Sequence, residues 1–178
     1  LFNLITGWQP PTNGRILVHG VPVKQGRPDL ITRAGLSRSF QKNMLFESVT
    51  VLENLRVACQ AMHSSRRSLL RSCDKFPDVL QSARLAAKRM QLEGCLHRNV
   101  NELSYGQKRQ LEVAIALCAE PRILLLDEPA AGTSPAERAS LIRLINELPA
   151  DLTIVLVEHD MDVVFAICSV ITVLSYGK

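Results

Sequence analysis

The sequence predicts an α/β protein built on a parallel sheet, and three observations predict it. After residue 100, helical and extended patterns alternate strictly: helix 105–119, strand 122–127, helix 136–148, strand 153–157, helix 161–168, strand 171–175. The strand cores "ILLL" and "TIVLV" are continuous apolar runs, as expected of strands covered on both faces. They are predicted at the centre of the sheet. Ahead of this alternation lies a segment, residues 50–100, that carries helical periodicity alone.

The elements follow in order. Residues 15–19 and 21–23 read as short strands about Gly20, 29–34 as a short helix stopped by Gly35, and 36–41 as an alternating strand. The first 49 residues are therefore mixed α/β. In "TVLENLRVACQAM" Thr50 and Glu53 have capping-box spacing, and Leu52, Leu55, Cys59 and Met62 recur at helical intervals. In "FPDVLQSARLAAKRMQLEG" Pro77 suits a first turn, Leu80, Ala83, Ala87 and Met90 form an apolar stripe, and Gly94 is the expected stop. Between these helices "HSSRRSLLRSCDK" is polar and basic, with Arg66, Arg67 and Arg71 read as a solvated surface.

Composition narrows the function. The chain has 178 residues, 47% of them hydrophobic, enough for one core with at most a small satellite. Its formal net charge is +4, and no apolar run approaches the ~20 residues that cross a bilayer, so membrane contact is expected through a partner. Aromatics are only 4% and no dense Lys/Arg block occurs, which argues against a nucleic-acid partner despite a pI near 9.0. The five cysteines, Cys59, Cys73, Cys95, Cys118 and Cys168, are scattered without a C-x-x-C pair. That argues against a zinc site or a disulfide framework and fits a reducing cytosol.

Two stretches carry chemistry. In "RILLLDEP", Asp127 and Glu128 stand at the carboxyl end of a buried strand, where open parallel sheets bind ligands. One carboxylate there can hold Mg²⁺ and its neighbour can orient or deprotonate a water, although the same pair could simply start a helix. In "LSYGQKRQLE", Ser104 is placed to cap a helix with Gln107 as its reciprocal partner, and Gly106 lets a ligand approach the backbone. Such a helix start suits a phosphate.

These stretches resemble a known family. "LSYGQKRQ" is similar to the signature motif of ATP-binding-cassette (ABC) ATPases and "ILLLDEP" to their Walker B strand, separated by one helix as in that family. "SRSFQ" with Gln41 resembles the Q-loop, "AGTSPAE" the D-loop, and "VEHD" with His159 the switch-histidine segment, all in the family's order. "SFQKNMLFESVTVLENL", "LLLDEPAAG" and "VEHDMDVVF" are similar to the ATPase subunits of branched-chain amino-acid importers. The resemblance implies a P-loop NTPase-like core made of 1–49 and 101–178, with an inserted helical signature subdomain at 50–100 and an N-terminal antiparallel β portion.

It also implies roles. Glu128 would be the general base or water-orienting residue, His159 would contact the γ-phosphate, and Asp127 and Gln41 would serve Mg²⁺. Ser104, Gly106 and Gln107 would bind the ATP of a second, opposed ATPase subunit, identical or different, with Ser134 in the D-loop where the family carries Asp or Asn. Residues 50–100 would dock on transmembrane permease subunits. The protein would be an ATPase driving transport, cytoplasmic and peripheral on the inner face of a prokaryotic membrane.

One family motif is absent: the 178 residues hold no G-x-x-x-x-G-K-[ST]. "LFNLITG" resembles the helix that follows that loop, and the family usually continues beyond "LSYGK". The expectation is an N-terminally truncated cassette that turns over no ATP although its parent does. Two rival readings are a non-catalytic interaction module and an ABC ATPase outside transport.

Overall fold

The computed structural model describes residues 1–39, 45–63 and 76–175. The chain starts with a single helical turn, α1 (Phe2–Ile5), whose Phe2 is buried. Strands β1 (Leu17–Val18) and β2 (Val21–Pro22) pair antiparallel through His19 and Gly20, both left-handed at φ 50° and 78°. Two left-handed central residues make the tight turn that matches strand twist. α2 (Pro28–Arg33) follows, with Pro28 in its first turn, then β3 (Leu36–Arg38).

α3 (Val51–Met62) is capped by Thr50, whose Oγ1 accepts the Glu53 N–H at 3.2 Å. The reciprocal half of the box is missing, because the Glu53 carboxylate turns to Arg56 instead. Asn54, buried, holds both the N–H and the carbonyl of Phe46 and so ties the preceding loop to this helix. α4 (Pro77–Arg89) buries Val79, Ala83, Ala86 and Ala87, while Leu80 is only half-buried, so the buried face is turned slightly from the predicted stripe. Gly94 is not its stop. Gln91 takes the left-handed conformation (φ 52°), and the N–H groups of Gln91 and Leu92 bond back to the carbonyls of Lys88 and Ala87, closing a Schellman motif. Gly94 lies in a separate turn of 3₁₀ helix, Glu93–Cys95, and a second such turn spans Val100–Glu102.

The predicted alternation then appears as α5 (Tyr105–Leu117), β4 (Ile123–Asp127), α6 (Pro135–Asn146), β5 (Thr153–Val157) and α7 (Met161–Ile167). The parallel sheet has the order β3-β4-β5, with Leu36 opposite Ile123 and Asp127 opposite Val157. β4 is central as expected. Leu124 and Leu126 face the larger core with α3, α4 and α5, and Leu125 faces a smaller one with Phe2, Val18, Ile31 and Leu36. Alternate residues thus enter different cores, which is why the run has no polar face.

Two expectations fail on one side of the sheet. β5 is an edge, and its apolar Ile154, Val155 and Leu156 are only half-buried, because among the described residues no strand pairs with its outer side. Residues 171–175 are not a strand: Val173 is 82% exposed, and without a neighbour for its backbone groups an extended segment makes no ladder. Among the described residues, no helix is long and apolar enough to cross a membrane.

Candidate functional site

The carboxyl end of the sheet gathers three of the predicted groups. β4 ends at Asp127, β5 ends just before Glu158 and His159, and the parallel register brings the two strand ends side by side. Glu128 leaves the strand with a left-handed backbone (φ 48°), its N–H bonded to the Val157 carbonyl at 2.9 Å. A residue with a Cβ in that region is strained, and such strain collects at sites that need it. The Glu128 carboxylate lies 3.8 Å from His159 Nδ1, while the imidazole is 73% exposed. Asp127 is held more firmly: Arg38 reaches across from β3 to its Oδ2 at 2.6 Å. The same guanidinium donates to Asn3 at 2.7 Å and stacks on the Phe2 ring, so the cation is anchored on three sides.

The second group forms where α5 and α6 begin. Ser104 and Gln107 make the full predicted capping box, and Ser134 makes another with Glu137. The two helix starts meet through Glu137. Its Oε1 accepts from Ser104 Oγ at 2.8 Å and from the Gly106 N–H at 3.1 Å, while Oε2 accepts from the Ser134 N–H at 3.0 Å and Ser134 Oγ at 2.8 Å. Together the Ser134 backbone, the two hydroxyls and the Gly106 N–H hold the Glu137 carboxyl well below the usual range, at about 2. Gly106 has to be glycine for this arrangement, since a Cβ there would sit 2.6 Å from the carboxyl carbon.

The loop between the two groups is also fixed. The nearly fully buried Glu158 side chain accepts the Ala130 N–H at 3.0 Å, and Thr133 Oγ1 bonds the Ala130 carbonyl at 2.7 Å. Gly132 is left-handed (φ 75°) and lies against the ring of Tyr105, which would stand 3.0 Å from a Cβ. Arg109 stacks over that ring and is paired with the buried Glu112 at 2.7 Å, whose carboxyl is pushed up by burial against the pull of the guanidinium. α5 is thereby packed on the loop that carries Glu128.

A family model described as ABC transporter matches residues 1–131. The chain belongs to the ABC transporter family. It is 38% identical to the high-affinity branched-chain amino acid transport ATP-binding protein BraF of Pseudomonas aeruginosa, over 99% of this chain and 72% of that protein. It is equally identical to the corresponding protein LivG of Escherichia coli, with the same coverage. Among solved structures, the ADP conformation of an ATP-binding cassette of an ABC transporter superposes with a TM-score of 0.78 at 27% identity, over 93% of this chain and 67% of that one. A nucleotide-free ATP-binding cassette matches with a TM-score of 0.77 at 26% identity, over the same shares. The core is therefore P-loop NTPase-like, as the motif order implied.

Within this cassette the predicted residues form two sets. Asp127, Glu128 and His159 stand together at the sheet end; Ser104, Gly106, Gln107 and Ser134 stand together at the helix starts. Gln41 lies outside the described residues, as do Arg66, Arg67, Arg71 and Cys73. Among the described residues no three His, Cys, Asp or Glu side chains converge as a metal cage. The donors present fit Mg²⁺ in its usual mode, one or two carboxylate oxygens with the rest supplied by phosphate and water. Sequence reasoning missed three partners: Arg38 on Asp127, Glu158 under the loop, and the second role of Glu137. Each lies inside a quoted motif, yet its contact crosses between separate elements.

Proposed function

We propose that this chain belongs to the ATP-hydrolysing subunit of an importer that energises amino-acid uptake, branched-chain amino acids in the first place, through transmembrane partners. The observation that carries this reading is the 38% identity to branched-chain amino acid transport ATP-binding proteins along 99% of the chain. In this reading 1–49 and 101–178 are the nucleotide-binding core and 50–100 the helical region that docks on permease subunits, at the inner face of a prokaryotic membrane. A second cassette, identical or different, completes each site. The 178 residues hold no Walker A motif, and on their own they should turn over no ATP; turnover by the purified chain would overturn that.

Each residue then has work. Glu128 orients or deprotonates the attacking water, and its strained backbone fixes where the carboxylate starts from. His159, beside Glu128, donates to the γ-phosphate oxygens. Asp127, with Gln41, would hold Mg²⁺, which when bound neutralises charge on the phosphates. Arg38 holds the Asp127 carboxylate in place through their 2.6 Å ion pair. Ser104, Gly106 and Gln107 present a hydroxyl, a backbone N–H and a helix dipole to the nucleotide of the opposed subunit, and Ser134 carries the D-loop contact between subunits.

The test is size-exclusion chromatography of the full-length gene product carrying Glu128→Gln, with and without ATP. The expected result is a dimer only with ATP, together with a loss of turnover of about 10²–10⁴-fold, the usual worth of a general base. A variant that stays monomeric with ATP, or that still hydrolyses it at the unaltered rate, would sink the assignment.

A further inference from the structure

The groups that the proposed function offers to a partner's nucleotide are already engaged within this chain. Ser104 Oγ and the Gly106 N–H both donate to Glu137 Oε1, and the other carboxylate oxygen is held by Ser134. One anion therefore bridges the starts of α5 and α6 and faces the positive ends of both helix dipoles. The fit leaves no space for a side chain at Gly106, so the glycine that sequence reasoning reserved for a ligand is serving an internal carboxylate. Beside it opens a cavity of about 240 Å³ lined by Ser104, Gly106, Gln107, Gln110, Glu137 and Ser140. That is room enough for the carboxylate to swing away or for a phosphate group to enter.

A backbone N–H and a hydroxyl hydrogen each serve one strong acceptor at a time, so a phosphate and this carboxylate exclude one another at the same donors. We propose that Glu137 is an internal anion that occupies the signature turn of the nucleotide-free cassette, and that a phosphate of the opposed subunit's nucleotide must displace it before the two cassettes close. The inference rests on the reading of Ser104 and Gly106 as nucleotide ligands. Its consequence is a threshold: the occupied turn is the incompetent state, and the ATP concentration needed for closure rises as the reciprocal of the fraction of chains in which the turn is free. Release of Glu137 also unties α5 from α6, so nucleotide capture frees the two helix starts to move apart.

The experiment compares the full-length Glu128→Gln protein with the same protein also carrying Glu137→Gln. The amide keeps one acceptor oxygen for the Ser134 cap, removes the charge and leaves only an NH₂ donor to face Ser104 and Gly106, and thermal melts check that both proteins fold. ATP is titrated at neutral pH and dimer is read by sedimentation. The proposal expects half-dimerisation at about tenfold lower ATP in the double variant, the scale of one charge-assisted hydrogen bond no longer competing. Dimer formation at equal or higher ATP would overturn the displacement and make Glu137 a mere strut, with the sandwich itself intact. No dimer in either protein would overturn the sandwich and the displacement together. A second reading needs no nucleotide: in the unaltered protein the Glu137 carboxyl ¹³C resonance should titrate near 2, and an ordinary midpoint near 4.5 would show that the contact does not form.

Discussion

The sheet end and the junction of α5 with α6 are built differently, although the proposed function needs both. At the sheet end, His159 is largely exposed and reaches Glu128 only at 3.8 Å, and of Asp127, Glu128 and His159 only Asp127 has a short ionic partner among the described residues. At the junction, a single carboxylate gathers four donors and two capping boxes interlock. In the proposed function, the half that would meet the chain's own nucleotide is loosely posed, and the half it would present to a partner is assembled. Ligand binding therefore has order to supply at the first and a contact to break at the second.

Three substitutions sharpen or break that contrast. The largest stability effect should come from Arg38→Met, which leaves the Asp127 carboxylate half-buried without its guanidinium; a loss of about 1–3 kcal/mol is expected in urea unfolding. A smaller loss would mean that even the short ion pair of Asp127 is slack. Ser104→Ala should cost about 1 kcal/mol as a lost N-cap. It should also change acid behaviour. The Glu137 carboxyl is depressed to about 2, so the stability it lends is full above its unfolded value near 4.5 and is lost as pH falls from there toward 2. In the Ser104→Ala protein that acid limb should flatten, and an unchanged limb would show that Ser134 alone sets the shift. His159→Ala should leave unfolding within about 0.5 kcal/mol, as for an exposed side chain. A larger drop would place His159 in the scaffold and erase the contrast.

Much of the fold could be read before the structure because its signals are local. The capping box at Ser104, the helical periods of α3 and α4, and the uninterrupted apolar run of β4 each depend on residues a few positions apart. β5 misled for a physical reason: its apolar run is that of a strand with two neighbours, whereas periodicity cannot report which neighbours are present. Gly94 misled because a Schellman turn tolerates Gln91 when the following bonds repay the strain. In the candidate site, Asp127, Glu128 and His159 were legible as residues at strand ends. The Arg38, Glu158 and Glu137 contacts were not, since they join positions 28 to 89 residues apart along the chain.

β5 has a further consequence beyond its place in the ladder. It is a five-residue stretch without charge, proline or glycine, preceded by Leu152 and followed by Glu158, and its outer side is unpaired among the described residues. Such an edge recruits any strand of similar character, a second copy included. For this chain in isolation, the limit on useful concentration is then set by colloidal self-association rather than by the free energy of unfolding. Shielding that edge would matter more for handling the protein than strengthening its core.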